Sequence, residues 1–215
     1  MSNIMQMELL LMGHRGRKKG ASGEQSRALL LEIAAEEFAQ KGYFHTKISE
    51  IVQRAGLTQP SFYLYFESKD AIFQELVELF RDRLSELTSN SRVESGIDLP
   101  ALPERITSGL SAIFKFFMEN QNLTRIGFFM ALDAEEFKEI LAGQIEANLL
   151  SEQQAGYFRE DIDMGTVAES LTGIIERLTL TKLFKGFKTP EGLAKEIVHL
   201  FLYGMINKAA LNEDF

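Results

Sequence analysis

The stretch from Thr46 to Asp70 carries the side chains with the clearest capacity for chemistry in this chain. Gln59, Pro60, Ser61, Tyr63 and Leu64 fall close together there, with Thr46, Lys47, Ser49, Thr58, Tyr65 and Lys69 around them. A glutamine amide matches the paired donor and acceptor of adenine, proline and leucine can press on thymine methyls, and serine and tyrosine hydroxyls reach phosphates or base edges. Presented on one surface, such groups would read duplex DNA. Aromatic packing is the alternative use of Tyr63 and Tyr65. Lys69 follows Ser68, a residue suited to capping a helix, so its ammonium lies in a first turn, where the helix dipole disfavours it by about 0.3–1 kcal/mol. A phosphate held on the free N–H groups of that turn would reverse the penalty; a solvated lysine beside Asp70 is the alternative.

The elements that must hold these groups are short. Thr46 and Lys47 open a helix of about eight residues whose inner face is Ile48, Ile51, Val52 and Ala55, and Gly56 turns the chain. Thr58 caps a third helix, in which Pro60 is tolerated because early helical positions lack an intrahelical N–H partner. Phe62 and Phe66, spaced i, i+4, point inward, leaving Gln59, Pro60, Ser61, Tyr63 and Leu64 at the N-terminal end and outer face. Helices this short are not stable alone and must pack on a longer one. Ser22-Gly23-Glu24-Gln25 reads as a capping box for it, with a helix over about 23–41 ended by Gly42.

Beyond Asp70 the chain reads as helical throughout. Phe73, Leu76, Val77, Phe80, Leu84 and Leu87 form one amphipathic stripe ending near Arg92. Prolines stand only at 60, 100, 103 and 190. Helices are expected at 103–119, 121–131, 134–156, 164–186 and 190–210, the last opened by Thr189, Pro190 and Glu191. The fold class is therefore all-α, with about nine helices: a flexible basic arm over 1–21 (or partly a misplaced start, given Met5, Met7 and Met12), a helix-turn-helix unit over 22–68, and a larger helical unit over 69–215.

The chain has 215 residues, 45% of them apolar, with a net charge of −8. Residues 1–70 hold nine Lys/Arg against eight Asp/Glu, whereas the remainder holds fourteen against twenty-three. A near-neutral head on an acidic body suits a protein that meets phosphate at one end only. No run approaches the roughly 20 apolar residues of a membrane span. The basic cluster Arg15, Arg17, Lys18, Lys19 follows the apolar Leu9–Met12 patch, the reverse of an export signal, so a cytoplasmic protein without membrane partners is expected. With no cysteine, and with His14, His45 and His199 isolated, neither a metal site nor a cofactor is expected. No nucleophile–base pair or phosphate loop suggests an enzyme.

The head resembles the tetracycline-repressor family of bacterial helix-turn-helix transcription regulators. The likeness rests on Ala34-Ala35-Glu36-Glu37-Phe38-Ala39-Gln40-Lys41-Gly42-Tyr43, Thr46, Ile48, Ile51, Ala55-Gly56-Leu57 and the run Tyr63 to Phe73. The resemblance implies that Thr46, Ser61, Tyr63 and Lys69 contact DNA, mostly its backbone, that Gln59 and Pro60 approach bases, and that the chain is a homodimer with a ligand cavity in its central helices. Two departures stand out. Lys47 replaces a common hydroxyl residue, adding a candidate phosphate contact, and Pro60 with Leu64 replaces the usual glycine and histidine.

For the dimer, Leu171, Ile174, Ile175 and Leu178 on one helix and Ile197, Phe201, Gly204 and Met205 on the last form two apolar faces, enough for a four-helix interface between copies. Burial inside a monomer is the alternative. For the ligand, Phe80, Phe114, Phe117, Met118, Phe128, Phe129 and Phe137 form an aromatic and methionine set, which serves either as cavity lining or as plain core. The expected function is a homodimeric repressor that binds a palindromic operator and is released by a small apolar or amphipathic inducer. The rival is a ligand-independent DNA-binding dimer governed by a protein partner.

Overall fold

A computed structural model of the protein describes residues 21–93 and 96–205. Of the arm expected over 1–21, residues 1–20 lie outside the described residues, and so do residues 206–210 of the helix expected over 190–210, which ends earlier, at Tyr203, with Gly204 at φ +71° as its cap. Nine α-helices are present among the described residues, with no strand. They are α1 (Ala21–Lys41), α2 (Ile48–Arg54), α3 (Gln59–Phe62), α4 (Lys69–Asn90), α5 (Leu102–Glu119), α6 (Gln121–Arg125), α7 (Ala134–Gln154), α8 (Met164–Leu178) and α9 (Pro190–Tyr203).

Most starts and stops follow local chemistry. Thr58, Asp163 and Thr189 cap α3, α8 and α9, accepting the N–H of Ser61, Thr166 and Gly192, and Ser68 Oγ accepts the Ala71 N–H at 3.0 Å at the start of α4. Gly42, at φ +80°, ends α1 and donates its N–H to Phe38 O at 2.8 Å, a conformation that side chains rarely adopt. The first helix starts at Ala21, which puts Ser22 inside its first turn and not in a capping position. Helices expected to run unbroken to 131 and 186 instead pass into π-helical turns at Ile126–Met130 and Thr179–Leu183. Their closing bonds run from Ala131 N to Ile126 O and from Phe184 N to Thr179 O.

Two compact units divide the contacts. One runs through Glu86 and takes in Glu119–Leu141; the other holds Leu87–Met118 and the chain from Ala142 on. In the first, Leu30, Ala34 and Phe38 of α1 are buried with Ile51, Phe62, Phe66 and Phe73, so the short helices borrow stability from the long one. Phe38 and Phe73 meet edge to face with centroids 5.0 Å apart. Phe80, Phe128 and Phe137 make an aromatic cluster in the same unit.

Ion pairs tie α1 to α2. Glu37, almost wholly buried, meets Lys41 at 2.5 Å and Arg54 at 2.8 Å, while Arg54 also reaches Glu36 and Lys41 reaches Glu50. The hydrogen bond from Lys41 holds the Glu37 carboxyl below its usual range, against the upward push of burial and with help from Arg54. A folded value below the unfolded one means the stabilisation is complete above the unfolded carboxyl's pKa of about 4.3 and is lost as pH falls through the folded value. Glu37→Gln is expected to cost about 1–3 kcal/mol at neutral pH. Denaturation curves taken across pH should show the two proteins converging below about pH 4.

Candidate nucleic-acid interface and cavity

The outer face of α3 is presented as its sequence pattern requires. Phe62 and Phe66 are buried, and their anchoring turns Gln59, Pro60, Tyr63 and Leu64 to solvent, Tyr63 being 56% and Leu64 79% exposed. Thr58 is exposed and its hydroxyl shares a 2.9 Å hydrogen bond with half-buried Ser61. An exposed amide, an exposed phenol and two apolar edges on one short helix make a surface that can meet base edges and phosphates. Tyr65 belongs elsewhere: it is half-buried, and a Cβ at Gly23 would lie 3.7 Å from its hydroxyl, so it packs toward the start of α1.

On α2 the expected set divides. Lys47 and Ser49 are exposed, with Lys47 in the cap position. Thr46 is turned inward at 1% exposure and donates its hydroxyl to Gly42 O at 2.9 Å, which removes it from any outer surface. It staples the turn that ends α1. Sequence reasoning missed Phe44, which is 82% exposed beside Lys47. Tyr43 packs against Phe38 and Phe73, and the Phe44 ring meets its edge from the solvent side, a placement that no spacing in the sequence announces.

Lys69 also differs from expectation. Its Nζ donates to Tyr43 O at 2.9 Å and Thr46 O at 3.1 Å and stands 4.3 Å from the centre of the Tyr43 ring. Two carbonyls and a ring face offset the dipole penalty, so no phosphate is needed to explain a cation there. Lys69→Met is expected to cost about 1–3 kcal/mol of stability while leaving the salt dependence of DNA binding unchanged. Lys47→Ala should do the opposite, making the log–log salt slope shallower by about one. Binding titrations across a salt series, paired with thermal melts, check both.

The second unit holds a partly open cavity of about 310 Å³, at the small end of ligand pockets. Its walls come from the end of α4 and from α5, α7, α8 and α9, and are largely aliphatic, Leu110, Ile113, Leu149 and Ile175 among them. None of Phe80, Phe114, Phe117, Met118, Phe128, Phe129 or Phe137 lines it. Phe80, Phe114, Phe117 and Phe128 are fully buried against other rings, and large rings that fill space leave none for a guest.

Four residues expected at a dimer face line this cavity: Ile175 and Ile197 are buried in its wall, while Leu171 and Phe201 are half-buried. Ile174 and Leu178 are half-exposed, and Gly204 and Met205 are exposed. On that outer side Gly173 is bare of neighbours within 4 Å of a would-be Cβ, and Leu200 and Tyr203 are exposed as well.

Polar groups of the cavity wall, together with Arg105 outside it, hold the end of α4 and the segment that follows it. Asn148 Nδ2 donates to Thr88 O at 3.0 Å, and Glu152 Oε1 accepts the Val93 N–H at 2.8 Å. Arg105 Nη2 donates to the Asn90 and Arg92 carbonyls, each at 2.9 Å. Tyr157 Oη accepts the N–H groups of Gly96 and Ile97. Burial pushes the Glu152 carboxyl up, partly countered by the Val93 amide and the charges of Arg92 and Arg105.

Comparison with known proteins agrees with this geometry. Residues 30–76 match the sequence profile of "Bacterial regulatory proteins, tetR family". The uncharacterized HTH-type transcriptional regulator YdgC of Bacillus subtilis (strain 168) is 45% identical over 188 residues, spanning 87% of this chain and 96% of its own. The fatty acid metabolism regulator protein of the same strain is 24% identical over 189 residues, 83% of this chain and 95% of that one. The solved structure of the transcriptional regulator FadR from Bacillus subtilis in complex with stearoyl-CoA shares the fold, with a TM-score of 0.63 at 19% identity over 83% of this chain and 98% of that one. No described helix is long and apolar enough to cross a membrane. With its N-terminal helices matching the profile and a close relative spanning nearly its whole length, the chain belongs to the tetR family of bacterial regulators, DNA-binding proteins that control transcription.

Proposed function

We propose that the protein is a homodimeric repressor that binds a palindromic operator and is released when a small molecule with an apolar body enters the cavity of the second unit. Residues 22–68 would read DNA and residues 69–215 would pair the subunits and take the ligand. The observation that carries this reading is the outward face of α3, where Gln59, Pro60, Tyr63 and Leu64 stand exposed over a buried Phe62. Phe44, Lys47 and Ser49, on the segment that precedes it in the chain, are exposed as well. The aliphatic cavity supports the ligand part, as does the stearoyl-CoA bound by a protein of the same fold. For the dimer, the exposed side of α8 and α9 around Gly173, Leu200 and Tyr203 is the supporting surface, since the inner side of both helices is taken up by the cavity wall. Release needs only that the ligand prefer the conformation that DNA does not, and by linkage DNA then weakens the ligand equally.

Selection from a random duplex pool tests the reading. Recovered sites should be inverted repeats whose halves lie about one DNA turn apart or slightly more. Enrichment of sites without two-fold symmetry, or of none, would sink it.

A further inference from the structure

Glu152 interrupts an otherwise aliphatic cavity. It lines the wall at 5% exposure, and its Oε1 is engaged by the Val93 N–H. A carboxylate has about four acceptor positions, and among the described residues only this one hydrogen bond reaches it. The nearby guanidiniums are committed elsewhere: Arg92 Nη2 donates to Ser151 Oγ and Arg105 Nη2 to two backbone carbonyls. Arg159, which also lines the cavity, is held in a two-point pair by Asp161. Asn148 spends one N–H on Thr88 O, and Tyr157 Oη receives two backbone N–H groups while keeping its own O–H. Glu152 is thus the one acidic side chain among the lining residues, and its carboxylate keeps acceptor positions that a donating guest could fill.

On the reading that this cavity takes the regulating molecule, we propose that Glu152 anchors the molecule's head, and that this head is a hydrogen-bond donor, a protonated amine ahead of a hydroxyl, on an apolar body. An ammonium would gain a charge-assisted bond to Glu152 where water no longer competes. A carboxylate or phosphate head would meet a like charge in the same place. The body would lie along Ile113, Leu149 and Ile175. The anchoring carboxylate is the one that holds Val93, so loading it bears directly on the segment that follows α4.

Decylamine, 1-decanol and decanoate, each below its aggregation concentration, separate the head from the tail. Titration calorimetry on the full chain should rank them in that order. In Glu152→Gln, which keeps an acceptor for the Val93 N–H and removes the charge, decylamine affinity should fall about tenfold or more, to near that of decanol, which should change little. Decanoate binding as tightly as decylamine to the wild-type protein would overturn the anchor, as would unchanged decylamine affinity in the variant; in both cases the apolar cavity reading survives. Failure of all three to bind would overturn anchor and cavity together. The wild-type ranking decides the matter even if circular dichroism shows the variant unfolded.

Discussion

Tyr63→Ala is expected to leave a folded chain that no longer holds its DNA site. More than half of the Tyr63 side chain is exposed, and its main intramolecular contact is an edge-to-face approach to Phe62, with centroids 5.5 Å apart. Phe62 is itself fully buried and stays anchored beside Phe66, so truncating its neighbour should cost no more than about 1 kcal/mol. DNA binding should suffer far more. Tyr63 caps the C-terminal end of the four-residue helix, one turn beyond Gln59 and Pro60, and that helix carries no other exposed aromatic to replace a ring and a hydroxyl at once. A loss of about 100-fold or more in affinity is expected, from about 3 kcal/mol across a base-edge or phosphate contact and its packing. Fluorescence anisotropy on a selected duplex measures it, with Tyr63→Phe separating hydroxyl from ring. Wild-type affinity in the alanine variant would remove Tyr63 from the interface.

Gly127→Ala should produce the largest loss of stability from a single methyl group. An added Cβ would lie 2.3 Å from Phe80 Cδ1, 2.5 Å from Cγ and 2.7 Å from Cβ. Those are the root atoms of a ring that is fully buried, so the ring cannot swing away at its far end, and Phe128 and Phe137 close the space around it. Overpacking of this kind costs about 1–3 kcal/mol or somewhat more. For a chain of this length each kcal/mol lowers the melting temperature by roughly 2–4 °C. Truncating Phe80 to alanine in the same chain, which removes Cγ and Cδ1, should make the added methyl cost less than it does beside the intact ring, a coupling that a double-mutant cycle reads directly. Additive effects would mean the two residues do not meet.

How far the sequence could be read depended on whether a feature is local. Thr58, Pro60 and the Phe62/Phe66 pair belong to one turn of chain, and α3 appears where they place it, with the expected side outward. Thr189 and Pro190 did the same for α9. The intramolecular partners of Lys69, the carbonyls of Tyr43 and Thr46, were not legible because they are brought to it by a chain reversal that no spacing encodes. Thr46 was misread for the same reason, its hydroxyl being claimed by the end of α1. Helical periodicity shows that Phe80 and Phe128 are apolar positions on inward faces, but whether an inward face meets another ring or a void depends on which helices pack together. Rings filled their space; the void opened where Ile and Leu side chains face one another. The same ambiguity sent Ile175 and Ile197 to a subunit interface when they line the cavity. Neither π-helical turn was legible, because five residues are too few for their period to be told from that of an α-helix.

The grip on the last turn of α4 has a consequence for how long that helix is. The final carbonyls of a helix ordinarily face water, and its last turn frays. Here Asn148 and Arg105 take the Thr88, Asn90 and Arg92 carbonyls, and Glu152 takes the Val93 N–H just beyond. Amide hydrogens in this turn should therefore exchange with solvent slowly, more as a helix interior does than as a free end. Because Asn148 and Glu152 are also part of the cavity wall, a molecule that took the cavity on the proposed reading would compete for the groups that keep this turn wound, and its binding would be read as a change in the exchange of these amides.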